Sequence, residues 1–186
     1  MKSLSVAVLA FVISGCMSYG TKYSYTYRLS KPDSPSMTWQ DERASFAFQI
    51  SDKSVNFTIR NKSQDVLKII WDEATIIREG KADKVMHSGV KYIDRNNSQP
   101  ATTIPPNSAI DDLAMPTESV YYVTGQYGGW REHDLFPTQD LNEARFKNMI
   151  LNAKGQRFSL YLPIQVQGKT VDYNFEFEIV DVAQLR

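Results

Sequence analysis

This 186-residue chain has almost no cysteine, no net charge and no long hydrophobic run. Its single cysteine excludes an internal disulfide framework and any zinc cluster that needs two or more thiolates. With 21 basic and 21 acidic residues it lacks the basic excess that a nucleic-acid binder needs to displace counterions from the phosphate backbone, so we expect no nucleic-acid partner. The hydrophobic share of 42% is that of an ordinary globular domain.

The most apolar stretch is short. Leu4 to Ile13 carries no charge and follows the basic residue Lys2. Because a membrane-spanning helix needs about 20 apolar residues, this stretch is too short to span. Its length and order are those of a secretory signal peptide, which we assign to residues 1–15.

The signal segment ends in Ile13, Ser14, Gly15 and Cys16. An aliphatic residue, two small residues and a cysteine resemble the lipobox of bacterial lipoproteins. The resemblance implies cleavage between Gly15 and Cys16, a diacylglyceryl group on the Cys16 sulfur, and an acyl chain on the new amine. Several chains on one residue hold a protein firmly at a membrane of the cell envelope. Met17, in place of the aspartate that retains enterobacterial lipoproteins at the inner membrane, implies the outer membrane in a diderm organism.

Residues 16–43 lead from this cysteine towards the main domain. Their content of Ser, Thr and Pro is typical of a flexible tether. However, Tyr23, Tyr25 and Tyr27 alternate with polar residues, a pattern that predicts an edge strand. The sequence leaves both alternatives open.

Residues 44–186 show the period-two alternation of β-strands. Strands are predicted at 46–50, 55–59, 66–71, 75–78, 84–87, 90–93, 101–104, 119–124, 158–164 and 171–179. One short helix is predicted over Gln139–Ala153, with Asp140 as its N-cap and Gly155 as its stop. The fold class expected is therefore mainly β: an antiparallel β-sandwich with one inserted helix. The strand–turn–strand pattern of Val55–Trp71 resembles the opening of the immunoglobulin-like sandwiches found in many bacterial lipoproteins.

Few residues are arranged for catalysis or metal binding. His87 and His133 lack the spacing of metal ligands, and Ser88 beside His87 is not a triad signature. The acidic pairs Asp72–Glu73 and Asp111–Asp112 are expected at strand ends, in solvent. We therefore expect no enzyme activity, no metal and no cofactor.

The most unusual segment is Val120–Pro137, which combines three glycines with five aromatic residues: Tyr121, Tyr122, Tyr127, Trp130 and Phe136. Tyrosine and tryptophan on a loop can form a protein-recognition surface. They can also stack on a sugar ring or fold back to cap the core. Two functions follow: a non-catalytic lipoprotein that binds another envelope protein as an accessory module, or a carbohydrate-binding or weakly hydrolytic lipoprotein with a groove lined by Trp130 and Tyr127.

Overall fold

The structure is a computed structural model that describes residues 20–185, so the signal segment, Gly15 and Cys16 lie outside the described residues. Within residues 20–185 the chain forms thirteen strands and one α-helix. They are β1 (Tyr23–Lys31), β2 (Thr38–Gln40), β3 (Ala44–Ile50), β4 (Val55–Asn61), β5 (Leu67–Ile69), β6 (Thr75–Arg78), β7 (Lys81–Met86), β8 (Thr102–Ile104), β9 (Ala109–Pro116), β10 (Val120–Val123), β11 (Gly129–Glu132), α1 (Ala144–Leu151), β12 (Arg157–Val166) and β13 (Lys169–Gln184). None of the helices in this part of the chain is long and apolar enough to cross a membrane.

The strands pair in the order β1-β13-β12-β6-β7-β9-β4-β3-β2, with β5 on β12 and β8 on β5. The path bends at β7, whose first residues pair with β6 while Val85 and Met86 pair with β9. The two halves then face each other. The rings of Phe46 and Phe48 on β3 lie 4.8 and 4.6 Å from that of Phe175 on β13. This arrangement confirms a mainly β, antiparallel sandwich with one helix.

Strand β13 shows why alternation produces this core. Its alternate residues Tyr173, Phe175, Phe177 and Ile179 are buried, whereas Glu176 and Glu178 between them point outwards. Arg28 donates a 2.8 Å hydrogen bond to Glu178, and Arg157 forms ion pairs with both carboxylates. Burying each large apolar side chain contributes about 1.5–3 kcal/mol, so the inward face dominates the stability of the strand.

Three local predictions were wrong. Residues 90–93 form no strand, because Tyr92–Asp94 is a turn of 3-10 helix. Asp111 and Asp112 lie within β9 and not at a strand end. The helix is shorter than expected, and the Asp140 side chain does not cap it; Glu143 occupies the N-cap position without a side-chain bond.

Residues 23–40 belong to the folded sheets. Tyr23–Lys31 is an edge strand paired with β13 from Tyr23↔Gln184 to Lys31↔Glu176. Thr38–Gln40 pairs with β3 at the other end of the path. Within the described residues, the pattern of Tyr23, Tyr25 and Tyr27 therefore belongs to an edge strand, as one of the two alternatives predicted. Residues 16–19 lie outside the described residues.

Candidate functional site: the aromatic hairpin

The aromatic segment forms a two-stranded hairpin that pairs with no other strand in the described chain. Strands β10 and β11 place Tyr122 opposite Trp130 and Tyr121 opposite Arg131. Because side chains alternate across a strand, the Tyr122–Trp130 pair and the Tyr121–Arg131 pair occupy opposite faces. The sequence predicted a strand at 119–124 followed by a glycine-rich loop; the structure confirms the strand as β10 and shows that the loop returns as β11, which gives a hairpin with two faces.

Trp130 is packed on several sides. Its ring lies 5.3 Å from that of Tyr122 and 6.1 Å from that of Tyr92, both edge-on. The Arg95 guanidinium lies 5.0 Å from the same ring in a cation–π contact. Trp130 is therefore partly buried and packs against three residues, two of which lie outside the β10 strand that it faces.

The other face is held by a second stack. The ring of Tyr121 lies 4.3 Å from that of His133, nearly parallel to it. The His133 backbone N–H donates to Ser119 O at 2.8 Å, which closes the base of the hairpin. His133 is thus a packing partner of Tyr121 in the hairpin, whereas His87 stacks on Trp71 at a different place in the fold.

The tip of the hairpin is the most exposed aromatic surface described. The side chain of Tyr127 is 84% exposed and that of Tyr122 is 59% exposed. Arg131 stabilises the turn by donating to the carbonyls of Trp130 and Tyr127 at 3.0 and 3.1 Å. The turn also needs Gly128, since a Cβ there would lie 2.7 Å from Val123 O.

Phe136 does not belong to this surface. It is buried in the main core, with its ring 6.0 Å from that of Tyr25 and 5.6 Å from that of Phe158. Burial, and then the charges of Asp134 and Asp52, raise the pKa of Tyr25 to about 12. Of the five aromatic residues identified from the sequence, four form the hairpin and one is part of the core.

A cleft of about 620 Å³ lies beside the base of the hairpin. Leu135, Phe136 and Ala153 form part of its lining, and His133 and Glu118 lie on the hairpin side. Neither Trp130 nor Tyr127 lines it. This cleft is therefore not the groove lined by Trp130 and Tyr127 that the carbohydrate hypothesis predicted.

One wall of the cleft is an ion-pair network. Arg78 donates to Asp83 at 2.9 Å, and Lys81 lies 3.3 Å from Asp83 and 2.6 Å from Glu118. Burial by itself would raise the pKa of Asp83, but the hydrogen bonds from Arg78 and Lys81 outweigh it and leave that pKa lowered. These charges neutralise one another, so the wall has no strong preference for an anion or a cation.

The sequence analysis did not identify a partly buried polar cluster at the bend of the sheet. The His87 ring stacks on the fully buried Trp71 at 4.4 Å, and its Nδ1 lies 3.4 Å from Asp112 Oδ2. Asp112 also accepts hydrogen bonds from the backbone N–H groups of Ser88 (2.9 Å) and Leu113 (2.8 Å). The alternation of β9 does not indicate it, because Asp112 is a carboxylate on the inward side of the strand, between Ile110 and Ala114.

Ser88 contributes its backbone N–H to this cluster and makes no side-chain bond to His87 that would define a nucleophile and its base. In residues 20–185, no group of three or more His, Cys, Asp or Glu side chains is placed to hold a metal ion.

Comparison with known proteins gives no relative: no family, no curated protein and no solved structure matches this chain.

Proposed function

We propose that this chain is a non-catalytic lipoprotein of the cell envelope that binds another envelope protein through the β10–β11 hairpin. The anchor is the lipid on Cys16, exposed by cleavage after Gly15, and the outer membrane is its location in a diderm organism. The observation that carries the proposal is the surface of the hairpin tip, where Tyr122 and Tyr127 are largely exposed. Arg131 stabilises the turn there by a hydrogen bond to the Tyr127 carbonyl.

The hairpin combines exposure with rigidity. Trp130 is fixed by Tyr92, Tyr122 and Arg95, so the strands beneath the tip are ordered before any partner arrives. A tyrosine loses little side-chain entropy on binding, since it has only two rotatable side-chain bonds. Preorganised aromatic residues are the usual anchors of protein–protein interfaces.

Carbohydrate binding is the second candidate, because the exposed ring of Tyr127 could stack on a sugar. Two observations favour the protein partner. Trp130 is only partly exposed and already packs against Tyr92, Tyr122 and Arg95, and the neighbouring cleft is not lined by Trp130 or Tyr127. Weak hydrolysis has less support, since the His87–Asp112 pair has no hydroxyl nucleophile bonded to it.

Site-specific photo-crosslinking in the native envelope tests the binding surface. A photoreactive phenylalanine analogue at Tyr127 is expected to give a discrete protein adduct, whereas the same group at Lys169, the first residue of β13, is expected to give none. Tyr122→Ala should abolish the adduct formed at position 127, and Tyr161→Ala, a tyrosine outside the hairpin, should leave it intact. If the adduct survives Tyr122→Ala, the hairpin is not the binding surface.

The carbohydrate alternative is tested on the same variants with a glycan array. Binding of a glycan by the wild-type chain, lost in Tyr127→Ala and retained in Tyr161→Ala, would replace the protein partner by a sugar. Lipidation is tested separately: labelled palmitate should enter the wild-type chain and not the Cys16→Ser variant.

A further inference from the structure

Residues 20–22 are held against a second segment of the chain, which precedes α1. The Thr21 N–H donates to Asp140 Oδ1 at 2.8 Å, and the Asp140 N–H donates to Thr21 O at 3.1 Å. Gly20 is packed so closely that a Cβ on it would lie 2.7 Å from Leu141 N. On the other side, the Leu185 N–H donates to Lys22 O at 2.8 Å. We call residues 20–22, 139–143 and 184–185 the anchor-proximal edge.

Only Met17, Ser18 and Tyr19 separate Gly20 from Cys16. Four residue steps reach at most about 14 Å, even when fully extended. The headgroup layer of one leaflet is about 6 Å thick, given the thickness of the whole bilayer and of its hydrocarbon core. If Cys16 carries its lipid in the membrane, the anchor-proximal edge is held close to the membrane surface.

The surface of this edge is suited to that position. The side chains of Leu141 and Leu185 are 54% and 50% exposed. Lys22, whose carbonyl accepts the bond from Leu185, is exposed as well. Leu141 has a φ of 51°, in the left-handed region that leucine rarely adopts. Leucine side chains can enter the interface between headgroups and acyl chains while a lysine ammonium meets phosphate.

We propose that the anchor-proximal edge lies on the phospholipid bilayer and forms a protein contact beside the lipid anchor. The inference depends on the lipidation of Cys16 proposed above. It also orients the domain: β13 ends at this edge, and its sixteen residues can carry Lys169 up to about 50 Å away from it. We assign the bilayer as the binding partner of this edge because the short segment from Cys16 holds the edge within about 14 Å of the lipidated residue.

Fluorescence quenching tests the contact directly. The lipid occupies the only native cysteine, so an introduced cysteine can carry a single label in the full lipidated chain. Labels at Leu141→Cys, Leu185→Cys and Lys169→Cys are compared in phosphatidylethanolamine–phosphatidylglycerol vesicles that contain a headgroup nitroxide lipid. We expect the labels at 141 and 185 to lose more than half of their fluorescence and the label at 169 to keep nearly all of it.

Equal quenching at all three positions, in protein that floats with the vesicles, would overturn the inference and leave the anchor intact. Protein that does not float and takes up the label at Cys16 would overturn the lipidation as well. Flotation therefore distinguishes the two failures.

A second measurement asks whether the leucines contribute affinity. The double variant Leu141→Asp/Leu185→Asp should transfer between vesicles about tenfold faster, because two half-buried leucines contribute roughly that factor. Leu151→Asp is the matched control, since Leu151 is 47% exposed but lies outside the edge. Unchanged transfer in the double variant, or an equal increase in the control, would contradict a contact made by the edge.

Discussion

Asn61 joins the two layers of the sandwich, and Asn61→Ala should be among the most destabilising polar substitutions. Its side chain is fully buried at the end of β4. The amide Nδ2 donates to Asp65 O at 2.7 Å and to Ile104 O and Pro105 O at 3.1 Å each. The Oδ1 atom accepts from the Ser63 N–H at 2.9 Å. These bonds hold the loop that passes from β4 to β5, together with the end of β8.

The magnitude follows from what the substitution leaves unpaired. The bond to Ile104 O is buried, and losing it costs about 1–3 kcal/mol, whereas the partly buried groups can turn to water at about 0.5–1 kcal/mol each. With three partly buried bonds lost beside the buried one, the expected loss of unfolding free energy lies between about 2.5 and 6 kcal/mol, with a central value of about 4 kcal/mol. For a domain of this size it lowers the melting temperature by about 10 °C.

Urea and thermal unfolding of the mature chain carrying Cys16→Ala would measure this loss. Asn56→Ala is the control, because Asn56 lies on the outer side of the same strand and donates one exposed bond, to Gln49 O at 3.1 Å. The control should change the unfolding free energy by about 0.5–1 kcal/mol. If the two substitutions cost the same, Asn61 does not join the layers as described.

Two further predictions concern acid stability and the hairpin turn. Hydrogen bonds from Ser98 and the Gln99 N–H lower the pKa of Asp72 from 3.8 to about 2, so its contribution is present above pH 3.8 and is lost as the pH falls through 2. Asp72→Asn should therefore lower the urea midpoint at pH 7 and have little effect at pH 2; an equal gap at both pH values would contradict this. Gly128→Ala should abolish crosslinking from position 127 with little change in global stability, whereas Gly168→Ala, whose Cβ meets no atom within 4 Å, should leave crosslinking intact. Loss of crosslinking in both variants would show that the effect is not specific to the turn.

The hairpins of the core could be predicted because their alternation is unbroken. In the β3–β4 pair, Phe46 faces Ile59, Phe48 faces Phe57 and Ile50 faces Val55, as the sequence pattern requires. The β12–β13 pair is recognisable for the same reason, since polar side chains fill the outward positions of β13. Local patterning is sufficient where a strand buries one face and exposes the other.

Strand β9 was missed because its pattern contains a carboxylate on the inward side. Asp112 is tolerated there since two backbone N–H groups bond to it and His87 lies beside it. Two of these partners, His87 and the Ser88 N–H, directly follow β7 and lie about two dozen residues away in sequence, where no local pattern indicates them. The same limit applies to Tyr92, whose ring packs on Trp130 in a short turn and not in a strand.

Asp140 shows how a long-range partner can override a local signal. Its position before an apolar stretch is typical of a helix N-cap. However, its Oδ1 is used by the N–H groups of Asn142 and Thr21, which hold the pKa of Asp140 below its usual range. Leu141 and Asn142 then adopt φ values of 51° and 60°, which no right-handed helix can include, so α1 begins only at Ala144. The carboxylate that was expected to start the helix instead accepts a hydrogen bond from Thr21, just before β1, and so holds the start of β1 against the segment that precedes α1.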